Sequence, residues 1–173
     1  ERLLAEISAN AISILSIESC LTQCLDIIGN SMDADSVHLY YEDTGGQELV
    51  SLANWWKDTD TGASPMRDMS GLVSLPMMSQ VLSTSDIFHC NDTEAISDAN
   101  VRKVLKRYKI RSFIALPLSH QQFVNGVCVV CMAKATYTWS QTEMGVLKTV
   151  AQILALRLNS RSIAHRLDES EAL

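Results

Sequence analysis

Residues 110–133 read IRSFIALPLSHQQFVNGVCVVCMA, and the fold turns on how this stretch is read. Two apolar runs, Ile110 to Ser119 and Val124 to Ala133, flank a short polar loop. Both have strand length and are rich in branched and small apolar side chains. They are the most hydrophobic β sequence in the chain, so they are expected near the centre of a sheet.

Outward from this pair, strands and helices interleave. Ser36 to Glu42 (SVHLYYE) reads as a strand, residues 43–46 (DTGG) as a turn, and Gln47 to Trp56 as the returning strand of a hairpin. Residues 57–70 form a polar loop with Gly62 and Pro65, of a length that often carries function. Pro76 to Ser83 fits a short helix with proline in its first turn, and Asp86 to Cys90 a short strand. Asn100 to Lys109 is an amphipathic helix, with Val101, Val104, Leu105 and Tyr108 on one side. Residues 1–32 are helical, as one bent helix or two, with Gly29 and Asn30 suited to the end. Ser140 with Glu143 forms a capping box for a last helix. Its stripe is Met144, Leu147, Ala151, Leu154 and Leu158. This order favours an α+β domain with an antiparallel sheet.

The 173 residues suffice for one domain, and the balance of 47% apolar to 20% charged residues excludes a disordered chain. No apolar run approaches about 18 residues, so no membrane span is expected. The net charge of −6 and pI near 5.1 argue against a nucleic-acid binder. Cys20, Cys24, Cys90, Cys128 and Cys131 are odd in number and no secretory leader precedes them. A reducing cytoplasm is therefore the expected setting. The chain opens at Glu1 and stops in charged helical sequence, so it reads as a domain cut from a longer protein.

The run Ile110-Arg111-Ser112-Phe113-Ile114-Ala115-Leu116-Pro117-Leu118 resembles a strand pattern of GAF domains. Gly126-Val127-Cys128-Val129 resembles that family's next strand, and Trp139-Ser140 with Glu143 its start of the last helix. Ala34-Asp35-Ser36-Val37 looks like the lead into the family's first strand, and Asp92 matches an acidic residue after the fourth. The resemblance covers about residues 20–158. It implies a GAF-like, PAS-related sheet of five to six antiparallel strands. Terminal helices would cover one face, and short helices and loops a pocket on the other. The implied division is a signalling helix at 1–17, the domain at 18–158 and a helical linker at 159–173. The ends are similar to inter-domain helices of bacterial sensors, which implies a sensor histidine kinase or a cyclic-di-nucleotide enzyme as parent.

Sensing, dimerisation and enzymatic roles follow from the resemblance in that order. The first is a sensory module that binds a small molecule and passes the signal through its terminal helices. The pocket candidates are Trp56, Met78, Phe88, Asp92, Leu105, Tyr108, Ile114 and Cys128. The second is a ligand-free homodimerisation module, paired through the N- and C-terminal helices, with Leu147, Ala151, Leu154 and Leu158 as interface candidates. The third is a methionine sulfoxide reductase, for which Cys90 is the one cysteine outside an apolar strand or helix stripe. The isolated domain is expected to have no catalytic residues.

The family's bilin-linking Cys-His pair would fall at Asn100 and Val101, so bilin attachment by that route is not expected. An unusual attachment at Cys90 competes with its role as a small buried hydrophobe. The cyclic-nucleotide motif of phosphodiesterase GAF domains is missing around Lys134. Cys128 and Cys131 lie three apart on a strand and face opposite ways, which argues against a shared metal. Cys20 and Cys24 share a helix face and read as core. His89 reads as a loop-edge residue, with pocket ligation as the functional alternative. His38, His120 and His165 read as strand-surface, loop and helix-surface residues. Trp55 and Trp56 should point to opposite faces, and Met66, Met69, Met77 and Met78 should cover the pocket. Finally, Arg102, Lys103, Lys106, Arg107, Lys109 and Arg111 place six cations in ten positions, whereas residues 1–60 hold eleven acids and two bases. The basic run reads as a solvated face, or as an anion site or docking surface.

Overall fold

In the computed structural model, the described residues are 2–12, 17–42, 48–57 and 69–171. The turn expected at 43–46, most of the loop at 57–70 with Met66, and the side chain of His165 lie outside the described residues or side chains.

The elements are α1 (Arg2–Ile12), α2 (Ile17–Met32), β1 (Ser36–Glu42), β2 (Leu49–Trp56), α3 (Pro76–Thr84), β3 (Phe88–Cys90), α4 (Ala99–Arg107), β4 (Ser112–His120), β5 (Phe123–Met132) and α5 (Gln141–Glu171). The N-terminal helical region carries α1 and α2 on either side of residues 13–16, which lie outside the described residues. The strands form one antiparallel sheet in the order β2-β1-β5-β4-β3. The quoted pair occupies the middle, as its hydrophobicity requires: an inner strand is covered on both faces.

Alternation then sorts the side chains. On the first face Val37, Leu39, Ile114, Leu116, Cys128 and Val130 pack with the buried sides of α1, α2 and α5. On the second, Tyr40, Phe113, Ala115, Val127, Val129 and Cys131 pack with α3, α4 and the turn at Ser70–Leu72. Two cores therefore share one sheet, and β1, β4 and β5 feed both through their period of two.

Leu147, Ala151, Leu154 and Leu158 belong to the first core and are at most 2% exposed. The stripe proposed for an interface between copies is taken up inside the chain. A period of three and four suits either contact, and here the helix lies on its own sheet.

The resemblance motifs have local physical reasons. Asp35 ties the start of β1 to the end of β5: its N–H donates to Cys131 O at 2.9 Å, and its Oδ2 accepts from Ala133 N–H at 2.6 Å. Ser112 Oγ donates to Cys90 O at 2.7 Å and accepts from Trp139 Nε1 at 3.1 Å. One hydroxyl thereby joins β3, β4 and the segment before α5. The capping box is complete. Glu143 N–H donates to Ser140 Oγ at 3.1 Å, and Ser140 N–H to Glu143 Oε1 at 3.2 Å. Tyr137 Oη donates to the second oxygen of the same carboxylate.

Candidate functional site

The second face of the sheet is the candidate site, because short elements rather than long helices cover it. Proline 76 starts α3 in the first turn, where its missing N–H costs no helical bond. That helix turns Met77, Met78 and Val81 into the core. Asp98 caps α4, its Oδ1 accepting from the N–H groups of Asn100 and Val101 at 2.9 and 3.2 Å. Val101 and Leu105 then reach the same core.

Of the eight pocket candidates, the structure brings five to this face. Met78 and Leu105 are fully buried there, and Trp56, Phe88 and Tyr108 are half-buried at its edges. Phe88 stacks on Phe113 with ring centroids 5.7 Å apart. The Tyr108 hydroxyl lies over Gly71, where a Cβ would come within 2.3 Å of it. A side chain at position 71 would have to push that hydroxyl aside.

Three candidates belong elsewhere. Ile114 and Cys128 pack in the first core, under the terminal helices. Ile114 pairs with Val130, and Cys128 pairs with Leu116, so all four share that face. The residues one step away, Phe113 and Val129, are the ones that reach the candidate site. Asp92 instead caps the turn at Thr93–Ala95, accepting from Glu94 N–H at 3.0 Å, and pairs with Arg111 Nε at 3.3 Å.

Three residues that matter here escaped the pattern reading. Tyr40 is fully buried and donates its hydroxyl to Met69 O at 2.6 Å. Phe113 supports Phe88. His38 is the third, and it corrects the surface assignment: the side chain has no solvent exposure. Its Nδ1 meets Asn54 Oδ1 at 2.8 Å and its Nε2 meets Ser36 Oγ at 2.9 Å. Burial pushes the imidazole down to about 4, against the Asn54 hydrogen bond that pulls it up. The ring is thus neutral at neutral pH. The sequence did carry a signal for it, since Ser36, His38 and Tyr40 alternate with Val37 and Leu39. A polar strand position beside a second core is buried, and beside water it is not.

The remaining histidines and the cysteines sort by face as well. His89 is exposed and opposes Ile114, so it points away from the candidate site. His120 closes β4 rather than lying in a loop, and its Nε2 is 3.2 Å from Asn159 Nδ2. Trp55 and Trp56 do divide between the faces. Cys128 and Cys131 likewise enter opposite cores, and burial pushes both thiols up to about 12. Burial and the neighbouring Cys20 also push Cys24 up to about 12. Cys90 is half-buried against the second core, and burial raises its thiol too. Such thiols are poor nucleophiles. Among the described residues, no group of three or more His, Cys, Asp or Glu is placed to hold a metal. No helix among them is long and apolar enough to cross a membrane.

Comparison with known proteins fits this geometry. A phycocyanobilin-bound GAF domain from a cyanobacterial phytochrome superposes with a TM-score of 0.76 at 16% identity, over 95% of this chain and 96% of that one. The photoproduct state of GAF3 from Slr1393 of Synechocystis gives 0.71 at 14% identity, over 88% and 99%. The GAF domain of a phosphoenolpyruvate-protein phosphotransferase from Coxiella burnetii gives 0.70 at 18%, over 99% and 96%. At these identities the likeness is one of fold. No curated protein matches the sequence significantly. The GAF domain profile matches residues 16–158, most of the two-faced sheet and its helices. The chain therefore belongs to the GAF domain family.

Proposed function

We propose that this domain is a sensory, regulatory module. It binds a small molecule at the second face of its sheet and relays the event through its terminal helices to an output domain. One observation carries the reading. Tyr40, Phe113 and Val129 pack with the short helices, while their chain neighbours Leu39, Ile114 and Val130 pack in the core shared with α1, α2 and α5. A ligand that displaces the second face moves strands on which the terminal helices rest. The structural likeness to a phycocyanobilin-bound domain supports a small-molecule ligand.

The site's chemistry favours an apolar, ring-bearing ligand with few polar groups, met by Trp56, Met78, Phe88 and Tyr108. A covalent bilin is not part of the proposal, because Asn100 and Val101 form the first turn of α4 without a thiol. Nor is an enzymatic activity. A cytoplasmic two-component or cyclic-di-nucleotide parent and pairing of two copies through the terminal helices complete the proposal. The pairing surface is not the buried stripe from Leu147 to Leu158.

Native mass spectrometry of freshly purified protein, with a denatured control, tests this. The expected result is a mass excess that disappears on denaturation and is reduced in Met78→Trp, which adds bulk at this face. A bare wild-type mass would move the reading to the ligand-free dimerisation module.

A further inference from the structure

The six cations between Arg102 and Arg111 do not all face open water. Arg102, Lys103 and Lys106 share one side of α4, opposite the side that Val101 and Leu105 bury. They line a cavity of about 440 Å³, together with Lys109 and Arg111 from the segment between α4 and β4. Its apolar lining includes Ile110, which is 4% exposed, and Ala133. This cavity lies on the far side of α4 from the candidate sensory site.

Charge inside it is unbalanced. Five cationic side chains line it against one carboxylate, Glu94. That carboxylate is engaged with Arg111 Nη1 at 3.2 Å, as Asp92 is with Arg111 Nε at 3.3 Å. Arg111 is thereby neutralised and held. Arg102 is fixed differently, its Nη1 donating to Ile96 O at 2.5 Å and Ser97 O at 3.0 Å, which leaves its charge uncompensated. Among the described residues, Lys103, Lys106 and Lys109 make no ion pair.

Lysines at a helix C-terminus have an ordinary explanation in the helix dipole. That accounts for Lys106 and Arg107, which end α4. It does not account for Arg102 and Lys103 in the helix body. Nor does it account for the backbone of Lys109, which has φ of 57° at the position after the helix that glycine usually fills. A lysine there costs about 1 kcal/mol in backbone strain, and its side chain joins the cavity lining.

We propose that this cleft is a second binding site, for a small soluble anion with two or more adjacent phosphate groups. The concavity suits a small molecule rather than a flat macromolecular surface. Four uncompensated cations, Arg102, Lys103, Lys106 and Lys109, match an anion of three or four charges. The apolar lining by Ile110 and Ala133 accepts an organic portion. The site does not depend on the sensory reading, because its lining includes none of the residues proposed to contact a ligand at the second face.

The test is isothermal titration calorimetry with inorganic pyrophosphate at low salt. Amide shifts are followed by NMR, and vesicles containing phosphatidylglycerol serve as a parallel probe. Saturable 1:1 binding is expected, with shifts centred on Ile110, Arg111 and Ala133. The exposed pair Lys103→Gln/Lys106→Gln should weaken it by about tenfold or more. Arg107→Gln, one position from Lys106 but outside the cavity lining, should change it by less than about twofold. Circular dichroism confirms that each variant is folded. No saturable heat, equal weakening by Arg107→Gln, or binding confined to vesicles would each overturn the proposal.

Discussion

The imidazole of His38 stands edge-on to the indole of Trp56, with ring centroids 4.9 Å apart and planes at 68°. It is the one fully buried histidine among the described residues, and it sits where the first hairpin meets the second core.

This placement has a pH consequence. Burial first of all holds the folded pKa down at about 4, while an unfolded histidine titrates near pH 6.5. The unfolded chain therefore takes up a proton that the folded one refuses. This contribution to stability is complete above about pH 6.5, falls as pH drops towards 4, and levels off below. The loss is about 3 kcal/mol. Urea denaturation at pH 7 and at pH 4.5 measures it, and His38→Gln should flatten the difference relative to wild type.

Gly29 lies on α2 beneath Trp55, where a Cβ would fall 2.2 Å from the ring. Trp55 Nε1 donates to Asp26 Oδ1 at 2.8 Å, which holds the ring in place. In an exposed helix, alanine in place of glycine gains about 1 kcal/mol. Here the sign reverses, and Gly29→Ala should lose about 1–3 kcal/mol. Thermal unfolding reads this as a fall in Tm of several degrees.

Leu154 and Leu156 are neighbours on α5 with opposite fates. The first is 2% exposed in the first core, and the second is 57% exposed. Leu154→Ala should cost about 2–5 kcal/mol, and Leu156→Ala less than about 0.5 kcal/mol. Equal effects in chemical denaturation would mean that α5 does not rest on the sheet.

The thiols should react in order of exposure. Cys90 is half-buried, while Cys20, Cys24, Cys128 and Cys131 are at most 2% exposed. With an aromatic disulfide reagent at pH 8, one thiol should react before the rest, and Cys90→Ser should remove that phase. All five should react together in denaturant. A fast phase that survives Cys90→Ser would contradict the packing of the cores.

Much of the architecture was legible in the residues. Apolar density placed β4 and β5 inside the sheet, and helical periodicity located α4 and α5. Ser140 with Glu143 marked a helix start to the residue. These are local properties, set by a few neighbours along the chain. Period two also assigned Cys128 and Cys131, and Trp55 and Trp56, to opposite faces.

What periodicity leaves open is which face meets which partner. Both faces of β4 and β5 are apolar, so alternation separates Ile114 from Phe113 without saying which one lies under α5. The same degeneracy let the α5 stripe pass for an interface, and let His38 pass for a surface residue. Only the packing of distant elements resolves it. α2 and α5 claim one side of the sheet, α3 and α4 the other, and burial follows from that choice. The basic run shows the same division. Its six charges are plain in the sequence, but the cavity that Arg102, Lys103 and Lys106 share with Lys109 and Arg111 exists only once α4 is seated against the start of β4. Charge is a property of residues, and concavity is a property of the fold.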